Sequence, residues 1–375
     1  MAIDDASPPR HALARLAIAG GGTGGHVFPA VAIAETCNAS RPTLDVLFLG
    51  TATGFEARIA PAHGLRFAAV RAAPFYGVAR LDRVRTLSHL FAGVMDARRI
   101  LRAERVQLVL GLGGFASAGV VLAARSLGVP AVIHEANATA GLANRALGRV
   151  ADRVLLGFAD AMADFPPGRC TVTGTPVRPA LLSIAAGRTP LGRPFRLLVM
   201  GGSQGSPFLN THAPELVTAI ARLGVSVTIR HQTGAGGPEA VRAAYADAGI
   251  AADVTPFLDD VRAAYEHADF AITCAGAGTL SELAAIGLPA LVVPLASAAR
   301  DHEVANARAA AESSGVWWTT ERTWDTTTLA QRIAVLAGDA AAWRAASTRM
   351  RRGATPAAAT HILAACDELL AARAG

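Results

Sequence analysis

A chain of 375 residues has room for two or three domains. With 52% hydrophobic and 17% charged residues it can bury a large core, which excludes a largely disordered protein. It contains no Lys, so all 35 basic residues are Arg, and the net charge is +6. The four cysteines, Cys37, Cys170, Cys274 and Cys366, lie far apart without zinc-ligand spacing, which argues against a zinc module or a disulfide framework and fits a reduced, cytosolic setting. The opening MAIDDASPPR is acidic and lacks an apolar stretch, so no signal peptide is expected.

The first element is the stretch from Leu16 to Ala30. An apolar run, Leu16 to Ala19, leads into Gly20, Gly21, Gly22, Thr23, Gly24 and Gly25, then His26 and a helix expected from Pro29. A buried strand that passes through glycines into a helix offers bare backbone N–H groups, and the positive end of the helix dipole favours an anion there. Five glycines exceed what a tight turn needs, which points to a bound phosphate compound. The stretch lacks Walker spacing and no Lys follows it. An imidazolium is disfavoured at a helix N-terminus, so His26, with an ordinary pKa of about 6.5, is expected to be neutral and able to accept a proton. The alternative is a capping or packing histidine.

Further strands are expected at Leu44–Leu49, Val106–Leu110, Ala131–His134 and Arg153–Leu156. Continuous apolar runs of this kind suit parallel strands covered on both faces, and the Ala- and Arg-rich stretches between them are helical in period. The order implies a doubly wound α/β sheet. Val106 to Ala124 is uncharged and long enough to span a bilayer, but Gly111, Gly113, Gly114, Ser117 and Gly119 make it a strand, a glycine turn and a helix start. From Arg66 to Arg105, nine Arg stand against Asp82, Asp96 and Glu104, among Phe67, Phe75, Tyr76, Leu81, Leu87, Leu90 and Phe91. This segment is either a charged helix face or an attachment to an anionic membrane surface. No nucleic-acid module is present, so nucleic acid is not an expected partner. After the strand at Ala131, His134-Glu135-Ala136-Asn137 offers Asn137 as a candidate contact to a sugar.

The rhythm breaks at Thr175-Pro176-Val177-Arg178-Pro179, and a linker is expected from there to Pro194. The opening pattern then recurs: strand Phe195–Met200, glycine turn Gly201-Gly202-Ser203-Gln204-Gly205, helix. Strands at Val225–His231, Phe270–Cys274 and Leu291–Pro294 follow. The result is two similar halves facing a cleft, with ligands expected beyond the carboxyl ends of the strands. In Thr273–Pro289, Gly276 and Gly278 turn the chain and a helix is expected near Thr279. Glu282, three residues on, either closes a capping box or holds two ribose hydroxyls. Arg300-Asp301-His302-Glu303 and Asn306 read first as a solvated helix start, with sugar contacts as the alternative. Pro356 to Arg373 is helical and is expected to pack on the first half. No Asp-x-Asp pair stands at a strand end, so neither a metal nor another cofactor is expected.

Taken in order, these motifs resemble the MurG family of peptidoglycan glycosyltransferases nearly end to end. The likeness rests on Gly21 to Pro29, Gly50-Thr51 with Gly54-Phe55-Glu56, Gly113-Gly114-Phe115 with Ser117, and His134-Glu135 with Asn137. Thr175 to Arg178, Gly201 to Gly205 and Ala275 to Glu282 complete it. The resemblance implies the GT-B fold of two Rossmann-like domains. Residues 1–178 would form the acceptor and membrane-side domain, residues 179–355 the UDP-GlcNAc-binding domain, and helix 356–373 would return to the first. It implies inverting transfer of GlcNAc from UDP-GlcNAc to the C4 hydroxyl of the muramyl sugar of undecaprenyl-linked lipid I, giving lipid II and UDP for wall synthesis, cell shape and division.

By the same resemblance His26 is the general base. Thr23, Gly24 and Gly25 lie near the donor diphosphate or the acceptor, and Asn137 near the donor sugar. Arg178 and Ser203 contact nucleotide and phosphate, and Leu258 meets uracil through its backbone. Ala277, Gly278, Thr279, Leu280, Ser281 and Glu282 hold the nucleotide, with Glu282 on the ribose. The resemblance also implies a peripheral location on the cytoplasmic face of the inner membrane, an anionic lipid surface as partner, and contacts with other cell-wall proteins. Three positions depart from the family pattern: Ala136 and Glu303 stand where Gln is usual, and Cys274 where Arg is common. A carboxylate at Glu303 accepts sugar hydroxyl bonds but cannot donate. The rival readings are a UDP-sugar epimerase of the same fold, a non-catalytic nucleotide-sugar-binding protein and, more distantly, a nicotinamide dehydrogenase, for which the G-x-G-x-x-G register is missing.

Overall fold

The structure is a computed structural model and describes residues 13–22, 24–72, 83–187, 192–202, 204–295 and 301–374. Contacts divide the chain into two compact units. One comprises Met1–Ala136, Ala140–Arg178 and Ala357–Gly375; the other comprises Asn137–Thr139 and Pro179–Pro356.

In the first unit the strands are β1 (Arg15–Ala19), β2 (Asp45–Gly50), β3 (Arg66–Ala69), β4 (Leu108–Gly111), β5 (Ala131–Glu135), β6 (Arg153–Leu156) and β7 (Cys170–Val172). The helices are α1 (Gly24–Ser40), α2 (Phe55–Ala62), α3 (Arg83–Ala103), α4 (Gly114–Ser126) and α5 (Leu142–Leu147). Among the described residues the strands form one seven-stranded parallel sheet in the order β3-β2-β1-β4-β5-β6-β7. The stretch Val106 to Ala124 is accordingly strand, glycine turn and helix, and among the described residues no helix is long and apolar enough to cross a membrane.

Alternation along β1 shows why both faces must be covered. Leu16 and Ile18 point into one core with Ile33 and Cys37 of α1, while Ala17 and Ala19 point into another with Val120 and Val121 of α4 and Leu101 of α3. The final helix completes the first of these cores. Its Ile362, Leu363 and Cys366 are fully buried beside Leu16, Phe48 and Leu108. Ion pairs Arg41–Asp367 (2.6 Å) and Arg153–Glu368 (2.7 Å) line its edges, but they are part-exposed and add little beside that burial.

The second unit carries β8 (Phe195–Met200), β9 (Val227–Gln232), β10 (Ala252–Thr255), β11 (Phe270–Thr273), β12 (Ala290–Val292) and β13 (Trp317–Trp318). Its helices are α6 (Pro179–Leu182), α7 (Ile184–Gly187), α8 (Pro207–Arg222), α9 (Pro238–Asp247), α10 (Val261–Glu266), α11 (Ala277–Ile286), α12 (Asp301–Ser314), α13 (Thr326–Gly338) and α14 (Ala340–Arg352). The helix that returns to the first unit is α15 (Ala358–Ala374). The sheet runs β10-β9-β8-β11-β12-β13, again all parallel among the described residues. Leu197 and Val199 of β8 pack on Leu216 and Val217 of α8 and on Ile333 of α13.

Each sheet reverses its winding beside its first strand, between β1 and β4 and between β8 and β11. Ligands in open parallel sheets bind at such switch points, beyond the carboxyl ends of the strands. The glycine turns after β1 and β8 and the start of α11 after β11 all stand there.

A buried network fixes the second of these turns. Asn210 of α8 gives its amide hydrogens to the carbonyls of Thr233 (3.0 Å) and Gly236 (3.4 Å), so its Oδ1 accepts from His231 Nε2–H (3.2 Å). His231 Nδ1 then accepts the Tyr245 hydroxyl at 3.0 Å. The network holds the Thr233 carbonyl, against which Gly205 sits so closely that a Cβ there would overlap it. Burial pushes His231 down to about 4, so the ring is neutral at pH 7.

Two outcomes follow from these cores. Ile362→Ala is expected to cost about 2–5 kcal/mol in denaturant unfolding, as for a buried aliphatic truncation, and unchanged stability would show that α15 is not part of the first core. Because folding lowers the His231 pKa, its contribution is full above the unfolded value of about 6.5 and is lost as pH falls towards 4. Urea unfolding of the second unit is expected to weaken by up to roughly 3 kcal/mol across that window, and His231→Gln to flatten the dependence.

Candidate active site

In the first unit the site grows from the β1–α1 turn. Helix α1 starts at Gly24 rather than at Pro29, so Pro29 lies inside it and His26 occupies its first turn. The run of glycines had suggested a longer loop, but Gly24 and Gly25 already have helical geometry. Pro29, the sixth helical residue, cannot give the hydrogen bond that an N–H at this place would make to the Gly25 carbonyl. The first-turn N–H groups of Gly24, Gly25 and His26 therefore stand at the positive helix end, with Gly25 exposed and His26 half-buried. Thr23 lies outside the described residues.

The orientation of the His26 ring is fixed by its neighbours. Nδ1 lies 3.1 Å from the Gly21 carbonyl oxygen, which can only accept, so Nδ1 carries the hydrogen and the lone pair of the neutral ring sits on Nε2. The ring packs against Gly113 of the β4–α4 turn, where a Cβ would come within 2.9 Å of Nε2. His134 on β5 donates Nε2–H to the Gly174 carbonyl (3.0 Å), and burial lowers its pKa, so it stays neutral. Glu135 accepts from Gly141 N–H (3.1 Å) and Asn144 Nδ2 (3.0 Å), which makes the His134-Glu135 pair a brace between β5 and α5. Arg178 lies with its guanidinium 4.7 Å over the Phe28 ring, two residues along α1 from His26, and Phe28 meets Phe55 edge-on at 6.0 Å. Arg178 is thus set beside Phe28 on the helix that carries Gly24, Gly25 and His26.

Beneath this turn lies Glu56, at the start of α2 and fully buried. It accepts from Gly22 N–H (3.0 Å), Thr51 N–H (2.8 Å) and Thr51 Oγ1–H (2.7 Å). Gly21 and Gly54 crowd its carboxylate, and Gly50 its Cγ, so tightly that a Cβ at any of them would overlap the side chain. Burial alone would raise the Glu56 pKa; the hydrogen bonds from Thr51, its own backbone N–H and Gly22 outweigh that and hold it below the usual carboxylate range. The motif Gly50-Thr51…Gly54-Phe55-Glu56 is this cage, and its purpose was not readable from spacing.

In the second unit α11 starts at Ala277 with Gly276 as N-cap, not near Thr279. Thr279 is therefore inside the first turn, and the capping-box reading of Glu282 fails, because the box needs its hydroxyl residue at the cap. One Glu282 oxygen accepts the hydroxyl of buried Tyr265 at 2.9 Å. Tyr265 sits on α10, the helix that follows the half-buried Leu258 loop. Gly278, Thr279 and Ser281 are half-buried on the first turns of α11, Ala277 and Leu280 are buried, and Ser281 bonds back to the Ala277 carbonyl at 3.0 Å. Ser203 lies outside the described residues.

Glu303 and Asn306 of α12 are buried, against the expectation of a solvated helix start. Glu303 accepts from Leu295 N–H at 3.0 Å and so supports the chain after β12. Asn306 accepts from Ala138 N–H (2.8 Å) and donates to Asn137 Oδ1 (3.0 Å) and to the Ala275 carbonyl (3.1 Å). It joins Asn137 to the residue just before the N-cap of α11. Arg300 lies outside the described residues.

The family comparisons agree with this arrangement. The glycosyltransferase family 28 N-terminal domain matches residues 16–156 and the family 28 C-terminal domain residues 196–360. The UDP-N-acetylglucosamine–N-acetylmuramyl-(pentapeptide) pyrophosphoryl-undecaprenol N-acetylglucosamine transferase of Geotalea daltonii is 41% identical over 321 residues, 85% of this chain and 88% of its own. The transferase of the same name from Aeromonas hydrophila is 39% identical over 357 residues, 94% of this chain and 96% of its own. The crystal structure of Acinetobacter baumannii MurG superposes with a TM-score of 0.71 at 31% identity, covering 93% of this chain and 98% of that one. With both family domains matched in order and this identity over most of its length, the chain belongs to the MurG family of glycosyltransferases.

Proposed function

We propose that the chain transfers N-acetylglucosamine from UDP-GlcNAc to the C4 hydroxyl of the muramyl sugar of lipid I, giving lipid II and UDP in peptidoglycan synthesis. The observation that carries this is the identity of about 40% with transferases of that name over most of the chain. An epimerase acting on the nucleotide sugar alone would share the fold but not this identity.

In this reading the reaction is a direct displacement with inversion. The Nε2 lone pair of His26 takes the proton of the incoming hydroxyl, while Nδ1–H stays on the Gly21 carbonyl. The N–H groups of Gly24 and Gly25 at the start of α1, with Thr23 before them in sequence and the turn containing Ser203, stabilise charge that grows on the diphosphate as the sugar leaves. Arg178 adds a positive charge in a planar fork suited to phosphate oxygens. Glu282, oriented by Tyr265, takes the ribose hydroxyls, and the backbone of Leu258 meets uracil. Ala277 to Ser281 present the positive end of α11. Asn137, held by Asn306, serves the donor sugar; Glu303, already accepting from Leu295, has only acceptor capacity left for it.

The acceptor is lipid-linked, and the first unit carries a surface suited to it. Phe91 and Met95 lie one turn apart and exposed on α3, with exposed Phe115 on α4 and Leu142 on α5, helices that pack on one another in that order. Exposed Arg99, Arg102 and Arg149 accompany them. Within the basic segment, Arg66 is paired with Asp45 and Glu104, and Arg71 with Asp96, so the free excess is narrower than the sequence suggests. Phe75, Tyr76 and Leu81 lie outside the described residues. Aromatic and aliphatic side chains ringed by Arg fit an anionic membrane surface, here the cytoplasmic leaflet, with the protein peripheral to it and close to other wall-synthesis proteins.

His26→Ala is expected to lower kcat by about 10²–10⁴-fold with UDP affinity unchanged by calorimetry; a folded variant with full transfer rate would remove the base assignment. Phe91→Asp is expected to reduce co-sedimentation with anionic vesicles while transfer to a short-chain, soluble acceptor is kept. Equal vesicle binding by the two proteins would dismiss that surface.

A further inference from the structure

The two hydrogen bonds that meet at the glycine turn share one peptide group. The Gly21 carbonyl accepts from His26 Nδ1 at 3.1 Å, and the Gly22 N–H, on the other side of the same amide, donates to Glu56 Oε2 at 3.0 Å. In a trans peptide the C=O and N–H point in opposite directions, so this amide bridges the imidazole and the carboxylate. We propose that Glu56 is the positioning residue of the His26 base, acting through the Gly21–Gly22 peptide as a carboxylate acts directly on histidine in a catalytic triad. This rests on the reading of His26 as the base.

The chemistry follows from the order of donors. The carboxylate pulls on the Gly22 N–H, which makes the Gly21 oxygen a stronger acceptor, and chains of hydrogen bonds reinforce one another in this way. That oxygen fixes the ring tautomer and so puts the lone pair on Nε2. When Nε2 takes the hydroxyl proton, the ring becomes imidazolium; its Nδ1–H stays on Gly21, and no proton reaches Glu56. The negative charge of Glu56 stabilises that cation through the polarised amide. The glycine cage gives this carboxylate one position. Gly21, Gly50 and Gly54 leave no room for it to turn away, and Thr51 holds its other oxygen by two bonds.

Among the described residues, the charged and titratable groups near His26 include Glu56, which stands behind the peptide. His134 on β5 is coupled to His26 electrostatically and is neutral; Glu135 lies beside it. Arg178 lies over Phe28. A carboxamide cannot serve both Thr51 and Gly22, because its NH2 end would face a backbone N–H. Glu56→Gln thus removes the charge and one of the two attachments.

The test is a nuclear magnetic resonance titration of the His26 ring in the full-length protein and in Glu56→Gln, with transfer kinetics alongside. The expected result is a His26 midpoint at lower pH in Glu56→Gln, the acidic limb of the kcat profile moving with it. The kcat should fall on the order of 10–100-fold, within the whole contribution of a general base, with the KM for UDP-GlcNAc unchanged. In a His26→Ala background, Glu56→Gln is expected to cost less than about twofold more, since the two act as one unit. An unmoved midpoint, or losses that multiply, would overturn the proposal. If the midpoint moves but His26→Ala keeps its rate, the relay stands and the base assignment alone fails. Should Glu56→Gln not fold, the wild-type Gly22 amide resonance is read instead. It is expected to shift with the His26 midpoint, and a Gly22 signal blind to that titration would refute the link.

Discussion

The first unit depends on a buried carboxylate that, among the described residues, is met by hydrogen-bond donors rather than by a cation. Glu56 is held by three hydrogen bonds from Gly22 and Thr51, in a space that only glycines at 21, 50 and 54 leave open. Burying a carboxylate without a counter-charge is costly unless its lone pairs are filled, and here the donors fill them. The turn after β1 opens on Gly20, Gly21 and Gly22, which have no side chains to set its shape. Glycine brings the backbone close to a ligand but supplies no rigidity. Glu56 supplies it from below, and His26 closes the same peptide from above.

The second unit solves the same problem without a charge. Its glycine turn rests on Thr233, whose carbonyl Asn210, His231 and Tyr245 hold through an ordered line of neutral hydrogen bonds. Asn306 does the equivalent work at the start of α11 by tying Asn137 and the Ala275 carbonyl. In both units a ligand-facing stretch poor in side chains is supported by a buried polar group from a neighbouring element. Such networks are useful only when every member is satisfied, and these bonds run in one consistent donor direction.

Much of the fold was legible in the sequence. The inner strands β1, β2, β4, β5, β6, β8, β9, β11 and β12 were each expected within a few residues of their places, most of them as buried apolar runs, while β9 is mixed and only partly buried. The strands that escaped notice are β3, β7, β10 and β13, which are the edges of the two sheets. An edge strand is half exposed, so Arg66–Ala69 and Cys170–Val172 mix polar and apolar residues and carry no run to detect. Helix starts were placed late at Gly24 and Ala277, because glycines read as turn where the local geometry is already helical. The solvated reading of Glu303 and Asn306 failed for a different reason. Their burial depends on Leu295, Asn137 and Ala275, partners remote in sequence that no local pattern announces. The motif around Glu56 was visible as a string, yet its role required the distance from Glu56 to the Gly22 amide.

The account turns on a histidine whose hydrogen is held on one named nitrogen. The most direct measurement is the 15N spectrum of the His26 ring in the wild-type protein above its titration midpoint. The structure calls for Nδ1 protonated and Nε2 bearing the lone pair, because the Gly21 carbonyl can do nothing but accept. A ring with the hydrogen on Nε2, or one exchanging freely between the two tautomers, would contradict it.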